Sequence, residues 1–188
     1  IYSDGSVHLN HGGTEMGQGL FQKIAQIAAK SFGLELSRVK ITATDTGKVP
    51  NTSATAASSG TDLNGMAVKL ACDEICDRIS QFLAEYYQEK TTIVRFDGGS
   101  VHIGKHEITF QNAVQLCYQN RISLSATGFY KTPDIFWDRI KGNGRPFFYF
   151  AHGVSVSEVV IDTLTGENRL LRTDLLHDAG ASLNPAID

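Results

Sequence analysis

The sequence predicts an α+β fold, with helices packed on a mixed, mostly antiparallel sheet. Three observations point there. Two stretches, 19–30 and 63–83, carry apolar residues at helical spacing. Several shorter stretches alternate apolar and polar residues, the mark of half-buried strands. Glycine-containing turn signals stand between neighbouring strands, as hairpins require.

The elements follow in order. "SVHLNH" alternates, with Val7 and Leu9 on one side, and Asp4-Gly5 before it is a hairpin turn signal. From residue 19 to about 30, Leu20, Ile24, Ile27 and Ala28 share a helix face, and Gly33 is a plausible stop. "RVKITATD" alternates again. "TGKVPNTSATAASSG" is then small and polar for fifteen residues, too long for a simple connector, and loops of that length tend to be functional. After it, Leu63, Met66, Ala67, Leu70, Ala71, Ile75, Ile79, Phe82 and Leu83 mark a long amphipathic helix. Ser59 with Asp62 three residues on resembles a capping box, with Asp in place of Glu.

"TTIVRFDGGSVHIGKHEITF" reads as a hairpin turning at Asp97-Gly98-Gly99. "TFQNAVQLCYQN" is a short helix with Ala113, Leu116 and Cys117 inward, and "ISLSATGFY" is a strand. The run from Phe147 to Gly180 is a long hairpin turning at Thr165-Gly166. The echo of "DGSVH" in "DGGSVH" is what two hairpins would produce. Phe129, Tyr130 and the run Phe147 to Phe150 fall at strand spacing and read as core rather than as a ring-stacking box. Trp137, near "GNGRP", belongs to a surface loop on this reading, turned toward a neighbouring domain.

At 188 residues the chain can bury a real core, as one domain or two closely packed lobes. Apolar content of 41% and charged content of 20% are those of a soluble globular protein. A formal charge of −3, with no basic run, argues against a nucleic-acid partner. No apolar stretch approaches membrane-spanning length. Ile1 opens on strand-like sequence without a basic leader, so no signal peptide is expected; the missing initiator Met and the abrupt end at Asp188 suggest a piece of a longer polypeptide. Cys72, Cys76 and Cys117 make no disulfide framework, which suits a reducing, cytoplasmic compartment. Cys72 and Cys76 share a helix face and read as buried, inert thiols rather than half a metal site.

"GGTEMGQGL", residues 12–20, holds four glycines just before a helix. It lacks the Gly-Lys-Ser/Thr of a phosphate loop, and Gln22 stands where a dinucleotide fingerprint needs its third glycine. Two readings remain. Unpaired amides and the helix dipole favour an anion at such a mouth, glycine lets a ligand approach the backbone, and Gln18 both donates and accepts. Alternatively it is a tight strand-to-helix turn with no ligand. "TSATAASSGTD" opens the second helix in the same way, with hydroxyls from Thr55, Ser58, Ser59 and Thr61, and two such mouths can converge on one polyanion; the alternative there is a flexible Ser/Thr linker.

Four motifs together, "NHGGTEMGQGL", "PNTSATAASSGTDLNG", "SATGFYKTPDIFWD" and "RTDLLHDAGASLNPAID", resemble the molybdenum-cofactor domain of the xanthine dehydrogenase/aldehyde oxidase family, the molybdenum hydroxylases. The match looks closest to the molybdopterin-binding subunit of bacterial xanthine dehydrogenases. It runs nearly end to end, so residues 1–188 are expected to be part of one molybdopterin-binding domain.

The resemblance implies a molybdenum–molybdopterin cofactor, in some members extended to the cytosine dinucleotide. Met16, Gly17, Gln18 and Gly19 would contact it. Thr55, Ala56, Ala57, Ser58, Ser59, Gly60 and Thr61 would wrap its phosphate and pterin, with Ala57 close to the molybdenum but not a ligand of it. The family hydroxylates electron-poor carbons with oxygen from water, and a xanthine dehydrogenase would oxidise hypoxanthine and xanthine to urate. The electrons leave through iron–sulfur clusters to FAD, held elsewhere in the full enzyme. Partners would be the remainder of the molybdopterin subunit, the iron–sulfur/FAD subunit or domains and a purine substrate, in an oligomer without nucleic acid or membrane. The family's catalytic glutamate lies in a Gly-Glu-Pro-Pro-like motif absent from these residues, so no catalytic residue is assigned and the 188 residues alone are expected to be inactive. Glu15 reads as a structural carboxylate near a helix start. His8, His11 and His177 read as hydrogen-bonded histidines rather than metal ligands. An aldehyde oxidase, or a non-catalytic binding module that has kept the fold, stands as the alternative.

Overall fold

The computed structural model describes residues 1–49 and 52–186. Pro50 and Asn51 of the long polar loop, and Ile187 and Asp188 of the last motif, lie outside the described residues. The chain divides into two compact units, Ile1–Lys131 and Thr132–Asp188.

The first unit opens with a β–α–β crossover. Strand β1 (Val7–Leu9) leads through the glycine loop into helix α1 (Leu20–Ser31), and strand β2 (Val39–Ile41) returns parallel to β1, Val7 opposite Val39. The Asp4-Gly5 turn forms, with the Gly5 amide donating to the Tyr2 carbonyl, but no strand precedes it; the partner of β1 comes from beyond α1. Helix α1 buries Leu20, Ile24, Ala25, Ala28 and Ala29. It stops at Gly33, whose φ of 61° lets the Leu34 amide reach the Ala29 carbonyl and the Gly33 amide the Lys30 carbonyl.

Helix α2 (Gly60–Tyr87) is the long helix of the sequence reading, and its buried residues include Val68, Cys72, Ile75, Ile79 and Leu83. The capping box does not form. Residues 57–59 already make a 3-10 turn, and Ser59 sits at φ −109°, ψ −1°, not in the extended conformation a cap needs. Its hydroxyl donates instead to the Ala56 carbonyl, 3.2 Å away. Burial pushes the Cys72 and Cys76 thiols up to about 12 and that of Cys117 to about 11, so all three stay protonated and unreactive.

The single hairpin expected after α2 is a three-stranded meander, β3 (Val94–Asp97), β4 (Ser100–Ile103) and β5 (His106–Thr109), with a second tight turn at Gly104. Helix α3 (Phe110–Gln119) follows, and Thr109 caps it by accepting from the Asn112 amide. Val101, Ile103, Phe110, Val114 and Cys117 join Leu20, Ile24, Phe32, Ile79 and Leu83 in one core. Phe32 and Phe110 meet there with ring centroids 5.7 Å apart.

Residues 122–130 are extended and alternate between partly buried and exposed, but pair with no strand among the described residues. Ile122, Leu124 and Ala126 pack on the core. Their carbonyl partners are not backbone amides. Arg78 Nη1 donates to Ser123 O at 2.8 Å and Ser125 O at 2.9 Å, and the amino group of Ile1 donates to Leu124 O. Two charge-assisted bonds from one guanidinium make a specific expectation: Arg78→Ala should cost about 1–3 kcal/mol in urea unfolding. A change within error would mean that water replaces both bonds.

The second unit holds a short hairpin, β6 (Phe136–Asp138) with β7 (Asn143–Arg145), and a long one, β8 (His152–Ile161) with β9 (Asn168–Asp178), turning at Gly166 as read from the sequence. Trp137 lies in β6 rather than in a loop and is half exposed. Of the aromatic residues expected as core, Tyr130 is partly buried, Phe129 is 83% exposed, and Phe147, Phe148, Tyr149 and Phe150 are exposed outside any strand. Apolar side chains on both faces of the β8–β9 hairpin, among them Val156, Leu175 and Leu176, are exposed as well.

Candidate functional site

Parallel pairing of β1 with β2 has a direct consequence. The glycine loop leaves the carboxyl end of β1, and the long polar loop leaves the carboxyl end of β2. Both therefore emerge at the same end of the pair, the end at which crossover folds place their ligands. The sequence carries no signal for this, because three-residue strands hold too little pattern to reveal their partner.

Side chains fasten the two loops together. The Thr14 amide donates to Thr55 Oγ1 at 2.8 Å, across 41 residues. Thr44 Oγ1 donates to the carbonyls of His11 and Gly13, at 3.1 and 2.7 Å. Gly12 and Gly13 are packed so closely that a Cβ on either would lie 2.1 Å from Thr52 Oγ1 or 2.6 Å from Leu20 Cδ2. Gly12 thus lets the first loop close on the second, and Gly13 lets it close on Leu20 of α1 and Asn64 of α2. Around Gly17, at φ 103°, the space beside the backbone is open.

Glu15 fills the mouth of α1. Its Oε1 accepts from the amides of Gly17 and Gly19, at 2.8 and 3.1 Å, and its Oε2 from that of Phe21, at 3.0 Å. The Phe21 amide first, then those of Gly17, Gly19 and Gln18, hold its carboxyl below the usual range against an opposing desolvation. The structural role read from the sequence thus takes the form of an internal cap. Gln18 folds over the same loop, accepting from the Met16 amide at 2.6 Å and donating to the Thr14 carbonyl at 2.9 Å. A second lone pair on its Oε1 and a second N–H on its Nε2 stay available. Met16, Gly17 and Gln18 are exposed, and Gly19 is partly buried.

The second loop differs. Ala56, Ala57 and Ser58 are exposed, and Thr55, Ser59, Gly60 and Thr61 are partly buried. Ala57 holds a φ of 55°, unusual for a residue with a Cβ, and such strained positions concentrate at functional sites. Among the described residues, no side-chain oxygen accepts from the amides of Ser58, Ser59, Gly60 or Thr61. The mouth of α2 at these positions is open where that of α1 is closed, a contrast that matching glycine content and helix spacing could not reveal.

His11 lies under the first loop, only 6% exposed. Its Nδ1 accepts from the Gly13 amide at 3.0 Å, which places its proton on Nε2, and Nε2 has no hydrogen-bond partner among the described residues. Phe21 meets the ring edge-on at 4.9 Å. Burial lowers the pKa of His11, with the Glu15 charge opposing. The unfolded chain therefore takes up the proton first. The stability due to neutral His11 is intact above about pH 6.5, the ordinary histidine value, and is lost as pH falls below it. In thermal melts, His11→Gln, which keeps an acceptor but does not titrate, should flatten that decline; an unchanged slope would assign it to other groups. His8 pairs with the Tyr2 hydroxyl, and His177 lies over Gly153. Among the described residues no cluster of three His, Cys, Asp or Glu is arranged to hold a metal, and no helix is long and apolar enough to cross a membrane.

The sequence model of the molybdopterin cofactor-binding domain matches residues 1–188. The xanthine dehydrogenase/oxidase of Gallus gallus is 46% identical over 188 residues, which is 100% of this chain and 12% of that protein. The xanthine dehydrogenase of Oryza sativa subsp. japonica is 45% identical, with the same two shares. Among solved structures, the reconstituted CO dehydrogenase from Oligotropha carboxidovorans aligns with a TM-score of 0.79 at 23% identity, over 100% of this chain and 23% of its own. Quinoline 2-oxidoreductase from Pseudomonas putida 86 aligns with a TM-score of 0.77 at 21% identity, over the same shares. At those identities the two structures speak to the fold, which they share. The chain spans 12% of the length of these curated relatives.

Proposed function

The chain belongs to the molybdopterin cofactor-binding domain family, and from that premise we propose that its two joined loops hold the molybdenum–molybdopterin cofactor of a xanthine dehydrogenase-like hydroxylase. The observation that carries this is the bond from the Thr14 amide to Thr55 Oγ1, which makes one surface of two loops already set at the same end of β1 and β2. The donors present suit the group. The open α2 mouth, with the Ser58 and Thr61 hydroxyls beside it, suits a phosphate. The exposed Gln18 carboxamide suits the amide-like edge of a pterin. The small side chains of Ala56 and Ala57 leave room for a flat ligand against the backbone.

In this reading Met16, Gly17, Gln18 and Gly19 contact the pterin. Residues 55–61 take the phosphate, or the pyrophosphate of a cytosine dinucleotide form, and Ala57 faces the molybdenum without binding it. When bound, the cofactor supplies the two-electron oxidation of an electron-poor carbon, with oxygen drawn from water. The residues of this chain bind and orient it. None is assigned as the base, since the carboxylate of Glu15 is committed to α1. Substrate contacts, the iron–sulfur clusters and FAD belong to other parts of a longer cytoplasmic, oligomeric enzyme.

The test is to purify the full-length parent, measure molybdenum and oxidised pterin, and follow urate formation from hypoxanthine. Bound molybdopterin with urate formation is the expected result, while the 188 residues alone should produce none. Turnover of aldehydes but not purines would move the parent to the aldehyde-oxidising branch. A folded parent free of pterin would make this a binding module.

A further inference from the structure

Building on the cofactor reading above, the structure assigns Glu15 a positioning role: its carboxylate closes the α1 mouth, so that the cofactor's phosphate goes to α2, and holds the 16–19 loop in the form that presents Gln18. The two mouths lie on loops joined at Thr14 and Thr55, and an anion approaching that surface meets both. At α1 the amides of Gly17, Gly19 and Phe21 are taken, and the helix starts from a glycine in the left-handed region, φ 75°, which has no side chain to cap with. A second anion there would meet a carboxylate already in place, and like charges repel. At α2 the first turn carries an acidic residue of its own, Asp62, but the amides of residues 58–61 have no such internal acceptor among the described residues.

The same carboxylate shapes the loop. By drawing the amides of Gly17 and Gly19 inward it wraps residues 16–19 around itself, and in that form Gln18 spans from the Met16 amide to the Thr14 carbonyl. The Thr14 amide in turn is held by Thr55. Glu15, Gln18, Thr14 and Thr55 therefore form one connected set, with the negative charge at its inner end. Glu15 reaches the cofactor only through Gln18 and through the anion site it closes.

The experiment uses the full-length parent. Glu15→Ala should lose most of its pterin and molybdenum when purified in plain buffer. It should keep them when purified throughout in acetate, which refills the vacated amides, and not in acetamide, which carries no charge. A purely structural loss would not respond to acetate. Wild-type cofactor content in Glu15→Ala, or a loss that acetate does not reverse, would overturn the proposal. If Glu15→Ala does not fold, Glu15→Gln, which keeps the shape and removes the charge, decides: wild-type cofactor content there overturns it too. If Ala57→Leu also keeps its molybdenum, the cofactor reading itself fails. If Ala57→Leu loses it while the Glu15 variants do not, only the present inference fails.

Discussion

Gly128→Ala is expected to lift the extended segment 122–131 off α2 and to lower the stability of the Ile1–Lys131 unit by about 3 kcal/mol, the upper part of the overpacking range. A Cβ at Gly128 would lie 1.8 Å from the Ala67 carbonyl oxygen, 2.8 Å from its carbon and 3.0 Å from the Ala71 amide nitrogen. All three are backbone atoms inside a 28-residue helix, so no side chain can swing aside. The helix is fixed by its own ladder and by the core, and the segment must yield. What it gives up is the packing of Ile122, Leu124 and Ala126 and the two bonds from Arg78. Those contributions also set a ceiling on the loss, since a fully detached segment has nothing more to lose. Urea unfolding should therefore show that Arg78→Ala and Gly128→Ala together cost less than their sum, because both act through one segment. Strict additivity, or a Gly128→Ala variant as stable as wild type, would show that the segment is not seated on α2.

This segment also shows where sequence pattern stops informing. Its alternation is real and predicts a strand. Period two reports an extended chain with one face on a core. It does not say whether the backbone partners are another strand or, as here, a guanidinium and an amino group. The three helices were legible because each is amphipathic over at least ten residues, and the Gly33 stop because a left-handed position favours glycine. The β8–β9 hairpin was legible from its length and its turn. The parallel β1–β2 pair was not, since three-residue strands carry too little pattern to name a partner. The aromatic residues at 129 and 147–150 misled because apolar spacing reports that a face is to be covered, not that the described residues cover it.

The candidate site divides in the same way. Two glycine- and serine-rich helix entrances were visible in the sequence, and so was the chance that they meet. Their difference was not. Glu15 stands four residues before Gly19 and could have lain anywhere on the loop; only the folded backbone turns three amides toward it. Residue types set what a loop can bind, while the path of the chain decides which of its donors are already taken.

Ala57→Leu in the full-length parent should abolish bound molybdenum and activity with little change in melting temperature. The physical case rests on where Ala57 sits. It is exposed, so a larger side chain adds no clash with a core. Its φ of 55° already carries the strain that any L-residue meets in the left-handed region, and Leu meets a similar cost of about 1–2 kcal/mol, so the difference between the two is small. The added side chain enters the space in front of the loop, where the proposed ligand would lie against the backbone. A misfit worth only about 1.4 kcal/mol is tenfold in occupancy, and an isobutyl group in place of a methyl exceeds that in a close-packed site. Ala57→Gly is the control: it removes the strain and adds no bulk, so it should keep its molybdenum and melt at the same temperature or slightly higher. Molybdenum content and melting temperature, measured on both variants, separate the possible outcomes. Full molybdenum with a lowered melting temperature in Ala57→Leu would place this side chain in packing rather than at the cofactor. The reading of the two joined loops as the molybdopterin site would then have to be given up.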